Sequence, residues 1–246
     1  MATFYIIGTP IGNLEDITLR ALRVLKEADI ILCEDTRVTK RLLSKYNINT
    51  PTLSYHAQSK LSKVEKIFTL LEEGKNLALV SDAGTPCISD PGSLLVAQVC
   101  EHFKVGPLGS PRSDLGVSII PIPGPSALVT ALSSAGISVA EFTFLGFLPH
   151  KKGRETLFEE IAESKRVMVF YESTHRILKA LESLEKFCGN TRHIIVAREI
   201  TKIYEEFVRG TIAEVRAHFT QNPDRMRGEF VVIVGGSKIV NSKIFE

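Results

Sequence analysis

Apolar residues along the first half of the chain fall into short runs separated by longer amphipathic stretches. Thr3–Ile7, Ile30–Cys33, Leu77–Val80 and Val117–Ile122 read as strands, and Thr52–Tyr55 as a weaker one. Between them, Ile17–Ala28 places Ile17, Ala21, Val24, Leu25 and Ala28 on one helical face. Val38–Tyr46 and Leu61–Glu73 repeat that pattern. Strand alternating with helix predicts a parallel sheet covered by helices. The second half reads differently. Strands are expected at Phe142–Phe147, Val167–Tyr171, Ile194–Ala197, Glu206–Arg209 and Phe230–Val234, and helices at Arg154–Glu163, Thr174–Phe187 and Ile212–Phe219. Two consecutive strands before the last helix imply a mixed sheet. The PIPGPS segment interrupts the chain between the two patterns. The reading is therefore two α/β domains, residues 1–124 and 125–246, the first with a mostly parallel sheet and the second with a mixed one. Phe103–Gly116 carries Gly, Pro and Ser with no period and reads as a surface loop.

Composition narrows the class. The 246 residues are 44% hydrophobic and 24% charged, enough for substantial cores. No apolar run approaches the roughly 18–20 residues of a membrane helix, so no membrane partner is expected. The start, MATFYIIGTP, has no basic leader and enters a turn directly, which points to the cytoplasm. Cys33, Cys87, Cys100 and Cys188 show no metal-ligand spacing and read as buried thiols, and no metal site is expected. The net charge of +2 leaves room only for a local basic patch if the partner is a polyanion.

Four strands of the first half end in polar or Gly/Pro loops: Gly8–Asn13 (GTPIGN), Glu34–Arg37 (EDTR), Ser81–Pro86 (SDAGTP) and Pro123–Ser126 (PGPS). Ligands of open α/β sheets bind at the carboxyl ends of strands, so these loops should meet on one rim. Each also has an ordinary structural reading, as a turn, a helix start or a solvated ion pair. The chain has neither GxGxxG nor GxxxxGK[ST], which argues against a Rossmann dinucleotide site or a P-loop.

The ordered strings GTPIGN, EDTR, VSDAGTP, PIPGPSA, GFLP, FYESTHR and AREITK resemble the tetrapyrrole-methylase superfamily. Within it, they are most similar to the small-subunit ribosomal RNA methyltransferase I family, the 16S rRNA cytidine-2′-O-methyltransferases. The resemblance spans Phe4 to Gly236 and departs from the family pattern at Phe103–Gly116. It implies a class III methyltransferase fold with S-adenosylmethionine between two α/β domains. It assigns donor contacts to Pro10, Ile11, Gly12, Ala83, Gly84, Thr85, Ile88, Ser126 and Ala127, completed near Glu172, Ile200, Gly228 and Glu229. It also implies a homodimer acting on 16S rRNA or the small ribosomal subunit.

Methyl transfer from a sulfonium donor needs alignment and a deprotonated or well-polarised nucleophile. Asp35 (beside Glu34) or Glu199 is the expected base, and Lys202 or Arg198 the expected charge stabiliser. His175 lies in the FYESTHR turn among the same candidates. A structural role in ion pairs competes with each assignment. Phosphate contacts are expected from Arg37, Lys151, Lys152, Arg154 and Arg176; Lys40, Arg41, Arg225 and Arg227 are further basic positions. Methylation of a tetrapyrrole or other small molecule on the same scaffold is the competing activity. A non-catalytic RNA-binding module is disfavoured by the near-neutral charge and the small-residue loops.

Overall fold

The computed structural model describes residues 1–56, 61–90, 92–105 and 116–237. Two compact units divide the chain, Met1–Ser126 and Ala127–Glu246.

In the first unit, β1 (Ala2–Ile7), β2 (Ile30–Cys33), β3 (Thr52–Ser54), β4 (Leu77–Val80) and β5 (Val117–Ile122) form a sheet in the order β3-β2-β4-β1-β5. Every pairing in it is parallel. All four residues of β4 are buried, as a central strand covered on both faces requires. Alternation divides them. Ala78 and Val80 join the core under α1 (Leu19–Glu27) and α2 (Thr36–Lys45). Leu77 and Leu79 join the core under α3 (Leu61–Glu72) and α4 (Gly92–His102). The Thr18 hydroxyl accepts from the Ala21 N–H and fixes the start of α1. Helix α4 was not expected from the sequence. It follows a turn in which the Asp90 carboxylate accepts from the N–H groups of Cys87 and Gly92. The inserted-looking stretch begins after α4 with Phe103 fully buried in the core, and its residues 106–115 lie outside the described residues.

The second unit holds α5 (Ala127–Ser133), β6 (Phe142–Phe147), α6 (Arg154–Glu163), β7 (Val167–Ser173), α7 (Ile177–Cys188), β8 (His193–Arg198), β9 (Glu206–Thr211), α8 (Ile212–Gln221) and β10 (Glu229–Val234). Its sheet runs β6-β7-β10-β8-β9, with only β6–β7 parallel. The mixed sheet read from two successive strands is therefore present. One face packs on α6, α7 and α8 through Phe158, Phe170, Leu181, Phe219 and Phe230. Helix α8 begins with a reciprocal cap between Thr211 and Glu214.

Of the four cysteines, only Cys33 is buried; Cys87, Cys100 and Cys188 are half-buried, and all four are thiols. No helix among the described residues is long and apolar enough to cross a membrane.

Candidate functional site

The four loops of the first unit are tied to one another. Thr9 and Gly84 exchange backbone hydrogen bonds at 2.9 and 3.0 Å, joining the loops after β1 and β4. The Thr85 hydroxyl donates to the Pro125 carbonyl at 3.0 Å, joining the loops after β4 and β5. The Asp35 N–H donates to the Asp82 carboxylate at 3.0 Å and brings in the loop after β2. Gly8 and Gly124 touch through backbone alone: a Cβ on Gly8 would stand 2.8 Å from Gly124 Cα, and one on Gly124 would stand 2.7 Å from the Gly8 oxygen. Gly84 has φ +82, and a side chain there would press on Ile11.

Of the residues expected on this rim, Pro10, Ile11 and Gly84 are buried, Thr85, Ser126 and Ala127 half-buried, and Gly12, Ala83 and Ile88 exposed. The loops offer backbone and small hydroxyls, and they carry Glu34, Asp35 and Asp82 against the single cation Arg37. Such a lining suits a ligand that is itself cationic and rich in hydrogen-bonding groups, and it opposes phosphate. Burial, with Asp82 and Asp90 nearby, raises the Glu34 pKa from its ordinary value. Asp35 behaves oppositely. It caps α2 and pairs with the Arg37 guanidinium at 2.6 Å, and these hydrogen bonds lower its pKa to about 2. This pairing holds it in the charged form and lowers its basicity. Arg37 is well exposed but already engaged with Asp35.

In the second unit the structure gathers Glu199, Lys202, Gly228 and Glu229. Glu199 sits in the left-handed region (φ +49), as does Thr201 (φ +68). The two strand ends lock through Glu199 N–H to the Glu229 carbonyl and Glu229 N–H to the Glu199 carboxylate. Lys202 Nζ bridges Glu199 and Glu229, each at 2.8 Å. Gly228 (φ +115) leaves the space that Glu199 fills: a Cβ there would lie 2.5 Å from Glu199 Cγ. Thr174 closes the group, its hydroxyl accepting from Gly228 N–H and donating to the Gly228 carbonyl. Ile200 is buried beside them in sequence.

Burial opposes ionisation of Lys202, but its hydrogen bonds to Glu199 and Glu229 outweigh it and raise the pKa. Burial likewise opposes ionisation of Glu199, and the Lys202 bond and Glu229 N–H outweigh it and lower the pKa. Lys202 is therefore a held positive charge, and Glu199 a held negative one with lowered basicity.

Three expected site residues are occupied by structure instead. Glu172 is buried (1% exposed), its side chain set between two guanidinium groups. Arg176 Nε lies 2.6 Å from Oε1, close but poorly aligned for a hydrogen bond, and Arg154 lies 3.5 Å from Oε2. Both arginines also donate to carbonyls, Arg176 to Leu148 and Arg154 to Pro149. These three residues form an internal ion cluster, in which both arginines have internal partners. Arg198 is similarly enclosed, donating to the carbonyls of Arg227 and Tyr204. Lys151 and Lys152 remain exposed.

Sequence reasoning missed Tyr171, whose hydroxyl oxygen accepts from the Leu128 N–H at 3.2 Å in the first turn of α5. The FYESTHR string contains it but carries no signal for that long-range contact.

A five-stranded parallel sheet with a bonded loop rim, and a mixed α/β unit with an organised carboxylate–lysine group, are the parts of a class III methyltransferase. The tetrapyrrole (corrin/porphyrin) methylase family model matches residues 3–216. Relatives called ribosomal RNA small subunit methyltransferase I include that of Halalkalibacterium halodurans, 45% identical with 96% of this chain and 76% of the relative covered. That of Thermotoga maritima is 42% identical, with 97% and 100% covered. The chain belongs to the tetrapyrrole methylase family and, within it, to the small-subunit ribosomal RNA methyltransferase I group. S-adenosylmethionine is its methyl donor. In fold it is similar to a cobalamin biosynthetic cobalt precorrin-4 methyltransferase (TM-score 0.64, 18% identity, 95% and 94% covered). It is also similar to a uroporphyrin-III C-methyltransferase of Thermus thermophilus (TM-score 0.59, 16% identity, 96% and 94% covered).

Proposed function

We propose that the protein methylates the 2′-hydroxyl of a cytidine in 16S ribosomal RNA. The observation that carries this is the 42–45% identity, over nearly the whole chain, to relatives called ribosomal RNA small subunit methyltransferase I. In this reading residues 1–124 carry the donor rim and residues 125–246 complete the donor and RNA site. The protein works in the cytoplasm as a homodimer.

The donor, when bound, supplies a methyl group on a positively charged sulfur. The rim fits it: bare backbone at Gly84, small hydroxyls, and carboxylates that favour a cation. Pro10, Ile11, Gly12, Ala83, Gly84, Thr85, Ile88 and Ser126 hold it; Ala127, Ile200, Gly228 and Glu229 are the further donor contacts the family resemblance implies. The main work of the residues is alignment and exclusion of water. Lys202, held protonated by two carboxylates, stabilises negative charge on the ribose oxygen as its proton leaves. Asp35 or Glu199 takes the proton, with Glu34, whose pKa burial raises, beside Asp35 on the same loop. Lys151 and Lys152 contact phosphates.

The test is transfer of labelled methyl groups to unmodified small-subunit RNA and, in parallel, to a porphyrinoid, followed by alkaline hydrolysis of the RNA. A 2′-O-methyl group blocks attack on the neighbouring phosphate, so label should appear in alkali-resistant dinucleotides. Label in the porphyrinoid alone, or in alkali-labile mononucleotides, overturns the proposal.

A further inference from the structure

The end of β6 carries a feature that nothing above uses. The β6–β7 register shifts between Phe144 and Phe147, and Gly146 takes φ +63 within the shift. A bulge of this kind re-aims the side chain that follows it. That side chain is Phe147, and it is 55% exposed on an edge strand. Its ring is not loose: it packs edge-on against Tyr171, centroids 5.4 Å apart at 62°, and Phe144 packs against the same Tyr171 at 4.9 Å. Tyr171 in turn holds the first turn of α5 through its hydroxyl, next to Ala127, one of the donor-contact residues. Three residues after Phe147 the exposed stretch His150-Lys151-Lys152 begins.

A fixed aromatic face in solvent, followed closely along the chain by exposed lysines, is the kind of surface that single-stranded RNA uses, with a base stacked on the ring and phosphates on the cations. Its link through Tyr171 to the start of α5 places that face one side chain away from the expected donor contacts. We propose that Phe147 is a base-stacking platform that positions the RNA nucleotide at or next to the methylated ribose, with Lys151 and Lys152 holding its phosphates. Phe147 is a positioning residue; it takes no part in proton or methyl transfer. The inference rests on the RNA reading above.

The experiment uses the full chain, a single-stranded RNA oligonucleotide of the substrate sequence carrying 2-aminopurine, and Phe147→Ala, Phe147→Leu and Phe147→Tyr variants. Phe147→Ala should lose about 5- to 150-fold in RNA affinity, the range for one stacked base, and the fluorescence quenching of 2-aminopurine on binding should disappear. Phe147→Leu should not restore either, because it is apolar without a π face; Phe147→Tyr should restore both. The slope of log affinity against log salt should stay at the parent value in Phe147→Ala and fall in the Lys151→Gln/Lys152→Gln double variant. Donor affinity should be unchanged in the three Phe147 variants, and Phe147→Ala should lower the melting temperature by only a few degrees, for the lost contact with Tyr171. If the parent binds and methylates RNA while Phe147→Ala or Phe147→Leu matches it, the platform is wrong and the RNA reading survives. If the parent neither binds nor methylates RNA, both fail. A change of oligomeric mass in Phe147→Ala would assign the ring to contact between copies and overturn the platform.

Discussion

Glu172→Gln separates a donor contact from a structural anchor. The carboxylate is enclosed, and each neighbouring arginine side chain is 15% exposed. Glutamine keeps the shape and removes the charge, leaving two largely buried guanidinium groups with the carbonyls of Leu148 and Pro149 and the Phe158 ring under Arg154 as neutral compensation. Breaking a buried pair in this way costs roughly 3–5 kcal/mol, most of it from the uncompensated charge left behind. A unit of this size, Ala127–Glu246, loses about 4 °C of Tm per kcal/mol from the usual unfolding entropy per residue. The expected drop is therefore about 12–20 °C, read by calorimetry on the full chain. Replacing the whole cluster with apolar residues, Glu172→Met with Arg154→Met and Arg176→Leu, should recover much of it, since no charge is then stranded. Donor affinity of Glu172→Gln, measured well below its Tm, should remain near the parent value. A Tm within 3 °C of the parent together with lost donor binding would refute the structural assignment and return Glu172 to the donor site.

Gly228→Ala should cost donor affinity tenfold or more by calorimetry, because the new Cβ displaces Glu199 from its bonds to Lys202 and Glu229, and φ +115 adds strain; affinity equal to the parent would show that the Glu199 group does not shape the donor site. The depressed pKa of Asp35 makes its contribution to stability complete above the ordinary carboxylate pKa near 4 and lost as pH falls toward about 2. Single-turnover rates measured from pH 5 to 9 should therefore show no ionisation from Asp35, and Asp35→Asn, which preserves the cap on α2, should leave that profile unshifted. A profile whose acidic limb moves in Asp35→Asn would single it out as the base.

The parallel sheet was legible because its strands are buried on both faces and its helices keep one apolar stripe, so period alone separates them. The mixed second sheet was legible from the order of Ile194 and Phe207 before the last helix. Helix α4 was not: its Gly-Ser start follows a turn fixed by Asp90, and leucines, valines and alanine spread over it blur the stripe. The four rim loops could be placed from strand ends, but the Gly8–Gly124 contact joins residues far apart in sequence, and only register brings them together. The ion cluster was the least visible part. Glu172 and Arg154 meet because the end of β7 lies beside the start of α6, and nothing in FYESTHR or KKGR marks which arginine turns inward. Glu199 and Lys202 were flagged by AREITK, but the conformation that weakens Glu199 as a base is set by Gly228 and Glu229 on another strand.

The distribution of charge then explains how a nearly neutral chain handles two ligands of opposite sign. In the proposed reading, S-adenosylmethionine, which carries a sulfonium, an ammonium and a carboxylate, is met by rim loops bearing Glu34, Asp35 and Asp82, with Asp35 already paired to Arg37. RNA is a polyanion and would be repelled by that lining. Its cations must lie elsewhere, and the arginines Arg154, Arg176 and Arg198 are spent inside the second unit on Glu172 and on backbone carbonyls. Of the expected phosphate contacts, Lys151 and Lys152 stay exposed, with Lys40, Arg41 and Arg227 as further exposed basic positions, and each phosphate contact contributes a modest, salt-dependent share. Contacts that salt does not screen add to that share. An exposed aromatic face shortly before Lys151 and Lys152 along the chain is such a contact, and it adds a requirement for an unpaired base that charge cannot impose.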